Sequence, residues 1–196
     1  FKGSDAVLTA GMPQCVNGFI RANAEGYAEA KYQISTNIET SANIILNKLY
    51  TIGLDLGEVD KALVRFDGLD YKKAVVYPDV KEVELVEGPY NVSVYVYDTS
   101  SLVIPAVNKK ECVDVPREGL GGLLGQEEEK CFDINIPATT VEMAVVGGGK
   151  ASDYFAESVL AGASELNINV PLFGKPASLE DLQENYRKAG EELIYL

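Results

Sequence analysis

The sequence contains no histidine and no tryptophan, and it has three cysteines among 196 residues. Without histidine, Ser-His-Asp and Cys-His catalysis are excluded, together with the usual histidine ligand sets for zinc and haem. Glycoside hydrolysis needs only two carboxylates, but nothing singles out a pair among the 30 acidic residues. The chain also lacks an apolar run of membrane-spanning length. We therefore predict a non-enzymatic protein with no cofactor, no metal site and no membrane insertion within this chain.

Acidic residues dominate the charge, which gives a net charge of -13 and a pI of about 4.4. Such a chain is repelled by nucleic-acid phosphates and by anionic membranes, so nucleic acid is not an expected partner. The simplest interpretation is a solubilising surface. A calcium site is the alternative, but the calcium-loop spacing is absent, and Asp55, Glu58 and Asp60 are the nearest approach to it.

The cysteines are Cys15, Cys112 and Cys131, and none belongs to a C-x-x-C pair of the zinc or thioredoxin type. Cys112 and Cys131 lie in two strand-like segments that bracket a Gly-rich stretch. We predict a disulfide between them, which would close a loop of about 20 residues and stabilise the fold by roughly 3 kcal/mol. Such a bond indicates an oxidising compartment. Two buried free thiols are the alternative, and Cys15 is then either buried or paired outside this chain.

Residues 83–97 read VELVEGPYNVSVYVY and show the clearest strand pattern in the chain. Apolar and polar residues alternate on both sides of a Gly-Pro pair, which predicts two strands joined by a hairpin turn. In the second strand, Val92, Val94 and Val96 share one face, and Asn91, Ser93, Tyr95 and Tyr97 share the other. The pattern is typical of an antiparallel sheet with one buried face and one outward face.

Other short strands follow at regular spacing, which is typical of a β-sandwich. The C-terminal part differs, because three glycines at 147–149 predict a turn and residues 178–194 predict an amphipathic helix. Ser178 is a good N-cap for that helix, and Gly190 is a natural stop. A helical turn is predicted over 153–160. The remaining predicted strands are 19–24, 30–35, 43–49, 50–56, 62–67, 73–77, 102–107, 112–115, 131–136 and 165–170.

Ala24, Gly26 and Tyr27 form an A-x-G-Y turn before a strand, and an apolar Ile-Ile-Leu run follows at 44–46. This arrangement resembles the second half of a carboxypeptidase regulatory-like, transthyretin-like β-sandwich repeat. The segment GPYNVSVYVY also resembles the G-x-Y strand of such modules. Overall, the chain is similar to tandem β-sandwich surface proteins of archaea. The resemblance implies a structural or binding module without catalytic residues.

The predicted fold class is therefore mostly β, with two antiparallel β-sandwich units of the Ig or transthyretin-like kind and a C-terminal α/β appendage ending in one amphipathic helix. The predicted boundaries are 1–50 for a partial regulatory-like unit, 51–137 for a sandwich with a disulfide-clamped loop, and 138–196 for a strand-turn-helix appendage.

Three features of the second unit are candidate sites. Asn91-Val92-Ser93 is an N-glycosylation acceptor triplet. The Gly-rich segment 119–125 lacks the Lys-Ser/Thr ending of a phosphate loop. Its leucines either dock on a neighbouring subunit or a membrane surface, or fold back over the sandwich edge. A tyrosine stripe is either a sugar-binding or subunit-binding face, or is covered by cross-strand neighbours and the C-terminal helix. The predicted interaction surface consists of Tyr77, Tyr95, Tyr97, Leu120, Leu123 and Leu124.

These features predict an extracellular structural or adhesion module of a cell-surface or secreted assembly, which self-associates through β edges. Its expected partners are other copies, neighbouring domains of a longer surface protein, or a glycan. The alternative is a carbohydrate-binding or ligand-binding module, and a hydrolase ranks last.

Overall fold

The computed structural model describes residues 6–99, 102–118 and 127–196, and in these residues the chain is mostly β with several antiparallel sheets. Two helices lie in the C-terminal part, namely α1 (Glu157–Gly162) and α2 (Leu179–Ala189). The strands are β1 (Gly18–Ala22), β2 (Ala30–Ile34), β3 (Tyr50–Asp55), β4 (Ala62–Gly68), β5 (Lys72–Tyr77), β6 (Glu82–Leu85), β7 (Gly88–Asp98), β8 (Leu102–Ile104), β9 (Val107–Pro116), β10 (Glu127–Ile136), β11 (Thr139–Val141), β12 (Ala144–Phe155) and β13 (Glu165–Asn167).

Two sheets contribute most of the buried residues. One has the strand order β12-β7-β4-β5 and is antiparallel throughout. The other has the order β13-β3-β6, in which β3 is antiparallel to β6 and parallel to β13. Strands β1 and β2, β8 and β11, and β9 and β10 form three further two-stranded sheets.

One hydrophobic cluster takes side chains from both of these sheets. Alternate residues of a strand point to the same face, and strands β3 to β7 supply alternate residues to the cluster. Removing a side chain of this size from water contributes roughly 1.5–3 kcal/mol. The largest fully buried members are Val64 and Phe66 from β4, Val92 and Val94 from β7, Ile52 from β3, and Val83 and Leu85 from β6.

The strands predicted over residues 83–97 are present, but the predicted hairpin between them is wrong. Strand β6 pairs with β3, whereas β7 pairs with β4 and β12. Both strands turn their apolar residues toward the same cluster, so the short link between them passes from one sheet to the other. Two hydrogen bonds of the Tyr90 hydroxyl stabilise this link. The hydroxyl accepts from the backbone N–H of Val86 at 3.2 Å and donates to the carbonyl of Val86 at 3.1 Å.

We expect Tyr90→Phe to lower the free energy of unfolding by about 1–3 kcal/mol, because the substitution leaves two buried backbone groups of Val86 without their partner. The ring itself stays in place, so no large cavity forms. Urea unfolding followed by circular dichroism measures the change. Tyr195→Phe is the matched control, since the Tyr195 side chain is 72% exposed. Equal effects of the two substitutions would contradict the role of the Tyr90 hydroxyl.

The glycines at 147–149 do not form the predicted turn, since all three lie within the 12-residue strand β12. A Cβ added at Gly147, Gly148 or Gly149 would meet a heavy atom within 2.8 Å. The missing side chains make room for C-terminal backbone. The Gly148 N–H donates to the Pro171 carbonyl at 3.0 Å, and the Lys150 N–H donates to the Glu192 carbonyl at 2.7 Å.

The core continues across the predicted boundary at residue 138. Strand β12 pairs with β7 along its whole length, apart from one irregularity between Val145 and Gly147. The buried cluster includes Phe155, Leu160, Ile168 and Ile194. Strand β12 and the residues that follow it therefore contribute to the same core as β3–β7.

The predicted C-terminal helix is confirmed as α2. The Ser178 hydroxyl accepts from the Asp181 N–H at 3.0 Å, and the helix ends at Gly190. Acidic residues occupy its first turn and basic residues its last turn, as the helix dipole favours. The Tyr186 ring stacks on the Tyr95 ring with 5.6 Å between centroids, so α2 covers part of the outward face of β7.

The described N-terminal residues form little more than the β1–β2 hairpin. The predicted turn is present, because the Tyr27 N–H donates to the Ala24 carbonyl at 3.2 Å and Gly26 has a φ of 77°. A strand over 43–49 was the wrong prediction, since only a bridge between Tyr27 and Lys48 forms there. Within residues 6–49, Ile34 is the one buried hydrophobic side chain. The predicted sandwich unit over 1–50 is thus not confirmed.

Candidate functional site

Between β7 and β12, the chain forms a two-stranded extension that is separate from the two main sheets. Strand β8 pairs with β11, and beyond them β9 pairs with β10 over ten residue pairs from Val107–Ile136 to Pro116–Glu127. We call the β9–β10 pair the ribbon. Its strands coincide with predicted segments, but they do not join either main sheet as sandwich strands would. Neither strand of the ribbon contains a fully buried residue, so the ribbon contributes nothing to the core.

A disulfide joins the two strands of the ribbon, as the sequence predicted. Cys112 and Cys131 are directly opposite in register, and their Sγ atoms are 2.06 Å apart. Both residues are exposed, so the alternative of two buried free thiols is wrong. The bond fixes the pairing of β9 with β10 at a place where core packing does not.

The ribbon has two different faces, because alternate residues of each strand point to opposite sides. We call the face without the disulfide the front face and the other the back face. Val113, Phe132 and Ile134 on the front face are 47%, 56% and 39% exposed. The front face also carries Val107, Val115, Ile136, Lys109, Glu111, Glu128 and Lys130, and the back face carries Asn108, Lys110, Cys112, Asp114, Pro116, Glu127, Glu129, Cys131, Asp133 and Asn135.

The charges of the two faces also differ. On the front face, Lys109 Nζ lies 3.1 Å from Glu111 Oε1, and Lys130 Nζ lies 3.2 Å from Glu128 Oε1. The hydrogen bond to the Glu128 carboxylate raises the pKa of Lys130. The front face therefore carries two lysines and two glutamates, whereas the back face carries one lysine and four carboxylates.

The predicted tyrosine stripe does not form an open surface. Tyr77 is 8% exposed and belongs to the core, because β5 turns its Val75 and Tyr77 side chains inward. This corrects its assignment to an interaction surface. Tyr95 and Tyr97 are half-buried on the outward face of β7, and burial raises the pKa of Tyr97. Leu120, Leu123 and Leu124, the other predicted members of that surface, lie outside the described residues.

Asn91 is exposed on the outward face of β7, in an open cleft of about 520 Å³. The Ser152 hydroxyl donates to Asn91 Oδ1 at 2.7 Å. Tyr154 also lines the cleft, and its hydroxyl donates to the Glu87 carboxylate at 3.2 Å, which raises the pKa of Tyr154. Asp67 and Asp153 are the carboxylates of the cleft. The Asn91 side chain of the acceptor triplet is thus accessible in the folded chain.

One group of three potential metal ligands occurs among the described residues, namely Cys112, Glu129 and Cys131. Its two sulfurs are bonded to each other, and a thiolate is the form of cysteine that binds metals. Cys15 is half-buried, and its backbone N–H donates to Thr36 Oγ1 at 2.9 Å. The side-chain hydrogen bond with Thr36 lowers the pKa of Cys15.

The apolar side of the ribbon escaped the sequence-based site prediction. Its signal was visible, because Phe132, Ile134 and Ile136 alternate with polar residues after Cys131, and Val113 and Val115 do so after Cys112. The same alternation is typical of a half-buried sandwich strand, so the pattern alone did not reveal an exposed surface.

Among the described residues, no helix is both long and apolar enough to span a bilayer. Comparisons with family models, with curated proteins and with solved structures found no match to this chain.

Proposed function

We propose that this chain is a non-enzymatic module of a cell-surface or secreted assembly, built as a β-sandwich that holds the ribbon out for contact with neighbours. The observation that carries the proposal is the ribbon itself. It is exposed on both sides, it is closed by a disulfide, and one of its faces carries six apolar side chains. The short motifs that resemble carboxypeptidase regulatory-like modules of archaeal-type surface proteins point in the same direction.

A sandwich of the Ig or transthyretin-like kind accounts for the body. The two main sheets share one hydrophobic cluster, and the chain passes between them at residues 86–87. A tyrosine near the start of a strand that hydrogen-bonds to backbone a few residues upstream is a recurrent corner in Ig-like sandwiches. Tyr90 makes this contact with Val86.

The disulfide supports a place outside the cytoplasm. Disulfides persist in oxidising compartments, and cytosolic thiol systems reduce accessible ones. Cys112 and Cys131 are both exposed, so no packing shields their bond from reductants.

The free edges of the ribbon support self-association. Within the part of the chain that the structure describes, neither β9 nor β10 has a second strand partner. Unpaired strand edges are templates for pairing with another chain, and added strands are a common mode of recognition. We propose that the module contacts other copies through the ribbon, by its edges or by its front face.

The cleft at Asn91 favours a second candidate function, the binding of a carbohydrate. It combines polar groups from Asp67, Asn91 and Ser152 with the ring of Tyr154, which is 57% exposed. The same residues offer Asn91 as an attachment site for a glycan. The cleft is open and shallow, however, and ligand sites usually bury most of their ligand. We therefore rank this function second.

Peptide mass mapping of non-reduced protein from fractionated source cells tests the proposal. We expect the chain in the surface or secreted fraction with Cys112 linked to Cys131, and the same map reports any glycan on Asn91. Blocking free thiols before lysis is the necessary control, because it prevents oxidation during handling. Cytosolic chain with Cys112 and Cys131 both alkylated would contradict the proposed location and function.

A further inference from the structure

We propose that the front face of the ribbon binds the front face of a second copy of this chain, with the two ribbons antiparallel. The inference rests on the proposed function, because it names the surface through which the module would self-associate. It assigns the contact to the apolar face rather than to the strand edges.

The front face exposes several apolar side chains that lie next to one another. Phe132 is more than half exposed, and Val113 and Ile134 lie beside it on neighbouring positions of the same face. Contiguous apolar patches on a soluble surface mark interaction sites, whereas scattered apolar residues do not. The back face offers no equivalent patch, since its residues are polar or acidic apart from the disulfide and Pro116.

The charge balance also favours the front face as the contact between copies. Two copies with a net charge of -13 repel each other, and the acidic back face would add to that repulsion. The front face has equal numbers of positive and negative groups. The front face itself therefore adds no net charge repulsion between two copies.

The order of the charges favours antiparallel ribbons. From the Val107–Ile136 pair toward the Pro116–Glu127 pair, the charged residues of the front face occur in the order Lys109, Glu111, Lys130 and Glu128. Each of them belongs to a different cross-strand pair of residues, which we call a row. A two-fold axis midway between Glu111 and Lys130 places the Glu111 row against the Lys130 row of the other copy. It also places the Lys109 row against the Glu128 row. Each charged row then meets a row of opposite sign, as a self-complementary interface requires.

The edges are less suited to pairing than the face. Strand β9 carries Lys109, Lys110 and Pro116, and β10 carries three consecutive glutamates at 127–129. Charged side chains and proline on an edge strand are devices that discourage edge-to-edge pairing.

The front face is small, because ten residues of strand span only about 33 Å. We therefore expect a weak, reversible contact, which an array of copies would strengthen through multivalency.

Sedimentation velocity of the full chain tests the inference, with Cys15→Ser in every sample to exclude intermolecular disulfides. We expect a reversible monomer–dimer equilibrium in the micromolar range, and Phe132→Ser to raise the dimer dissociation constant at least about tenfold. Asp133→Ser is the matched control on the back face, and it should leave the dissociation constant unchanged or lower it. Circular dichroism checks that each variant is folded. We expect both to fold, because Phe132 and Asp133 are exposed.

Charge exchange gives a second, independent readout. Lys130→Glu and Glu111→Lys should each weaken dimerisation, and a mixture of the two variants should form a heterodimer more tightly than either variant pairs with itself. A dimer unchanged by Phe132→Ser would overturn the inference and leave the proposed function standing, with the edges as the contact. A chain that stays monomeric to about 500 μM would also overturn it, while the cellular mass map judges the proposed function separately.

Discussion

Phe66→Ala is expected to lower the free energy of unfolding by about 3–5 kcal/mol, the largest loss for a single side chain in this fold. The Phe66 side chain is fully buried in β4. Its ring meets the Tyr90 ring edge-on at 6.3 Å and the Phe155 ring at 6.4 Å, which joins three neighbouring strands of one sheet. Alanine would remove both aromatic contacts and leave a cavity. Urea unfolding with linear extrapolation measures the loss.

Phe132→Ala provides the matched comparison, because it removes the same atoms from the ribbon. Phe132 is 56% exposed, and we expect its replacement to change stability by no more than about 0.5 kcal/mol. Similar losses at the two positions would mean that the ribbon belongs to the core, which contradicts the fold described above.

Gly148→Ala is expected to cost about 2–5 kcal/mol, a large effect for the addition of one methyl group. A Cβ at this position would lie 2.4 Å from the Val94 carbonyl oxygen and 2.8 Å from the Ala189 Cβ. The φ of 145° is also strained for any residue with a side chain. The methyl group would push α2 away from β12, so we expect faster hydrogen exchange in α2 as well as a lower unfolding midpoint.

Gly174→Ala is the control for this prediction. No atom lies within 4 Å of a Cβ built at Gly174, and its backbone is outside the left-handed region. Alanine there should be neutral or slightly stabilising, because it restricts the unfolded chain. A Gly148→Ala protein as stable as Gly174→Ala would show that the close approach of α2 to β12 is not required.

Strand alternation predicted most of the β body correctly because burial on one face of a sheet imposes it directly. Val92, Val94 and Val96 point inward as predicted, and Tyr95 and Tyr97 point outward. The same pattern does not say which strand is the neighbour. Strand β6 pairs with β3, which lies about 30 residues earlier, and nothing in the sequence between β6 and β7 distinguishes a hairpin from a link between two sheets.

The glycine run shows a second limit. Three consecutive glycines predict a turn when only local preferences are considered. In the fold they are strand residues, and the reason for glycine is the close approach of Pro171, Ala189 and Glu192 from the C-terminal part. The cause therefore lies in tertiary packing, which the local sequence does not display.

The candidate site was predictable in one part. Cysteine spacing and strand-like flanks gave the disulfide, since two cysteines opposite each other on paired strands are close enough to bond. Tyr77 was misassigned because its strand pattern allowed either face to point inward, and the packing of Val75 and Tyr77 in the core decided between them. Exposure of the ribbon depends on the absence of a covering element, and a pattern of alternation does not contain that information.

Hydrogen exchange on the native chain and on a Cys112→Ser/Cys131→Ser double variant tests whether the ribbon lies outside the core of the β body. We expect faster exchange in β9 and β10 of the variant, with the slow exchange of β4 and β7 amides unchanged. Exchange that accelerates equally in the ribbon and in β4 and β7 would show one cooperative unit and would contradict a ribbon that is separate from the core.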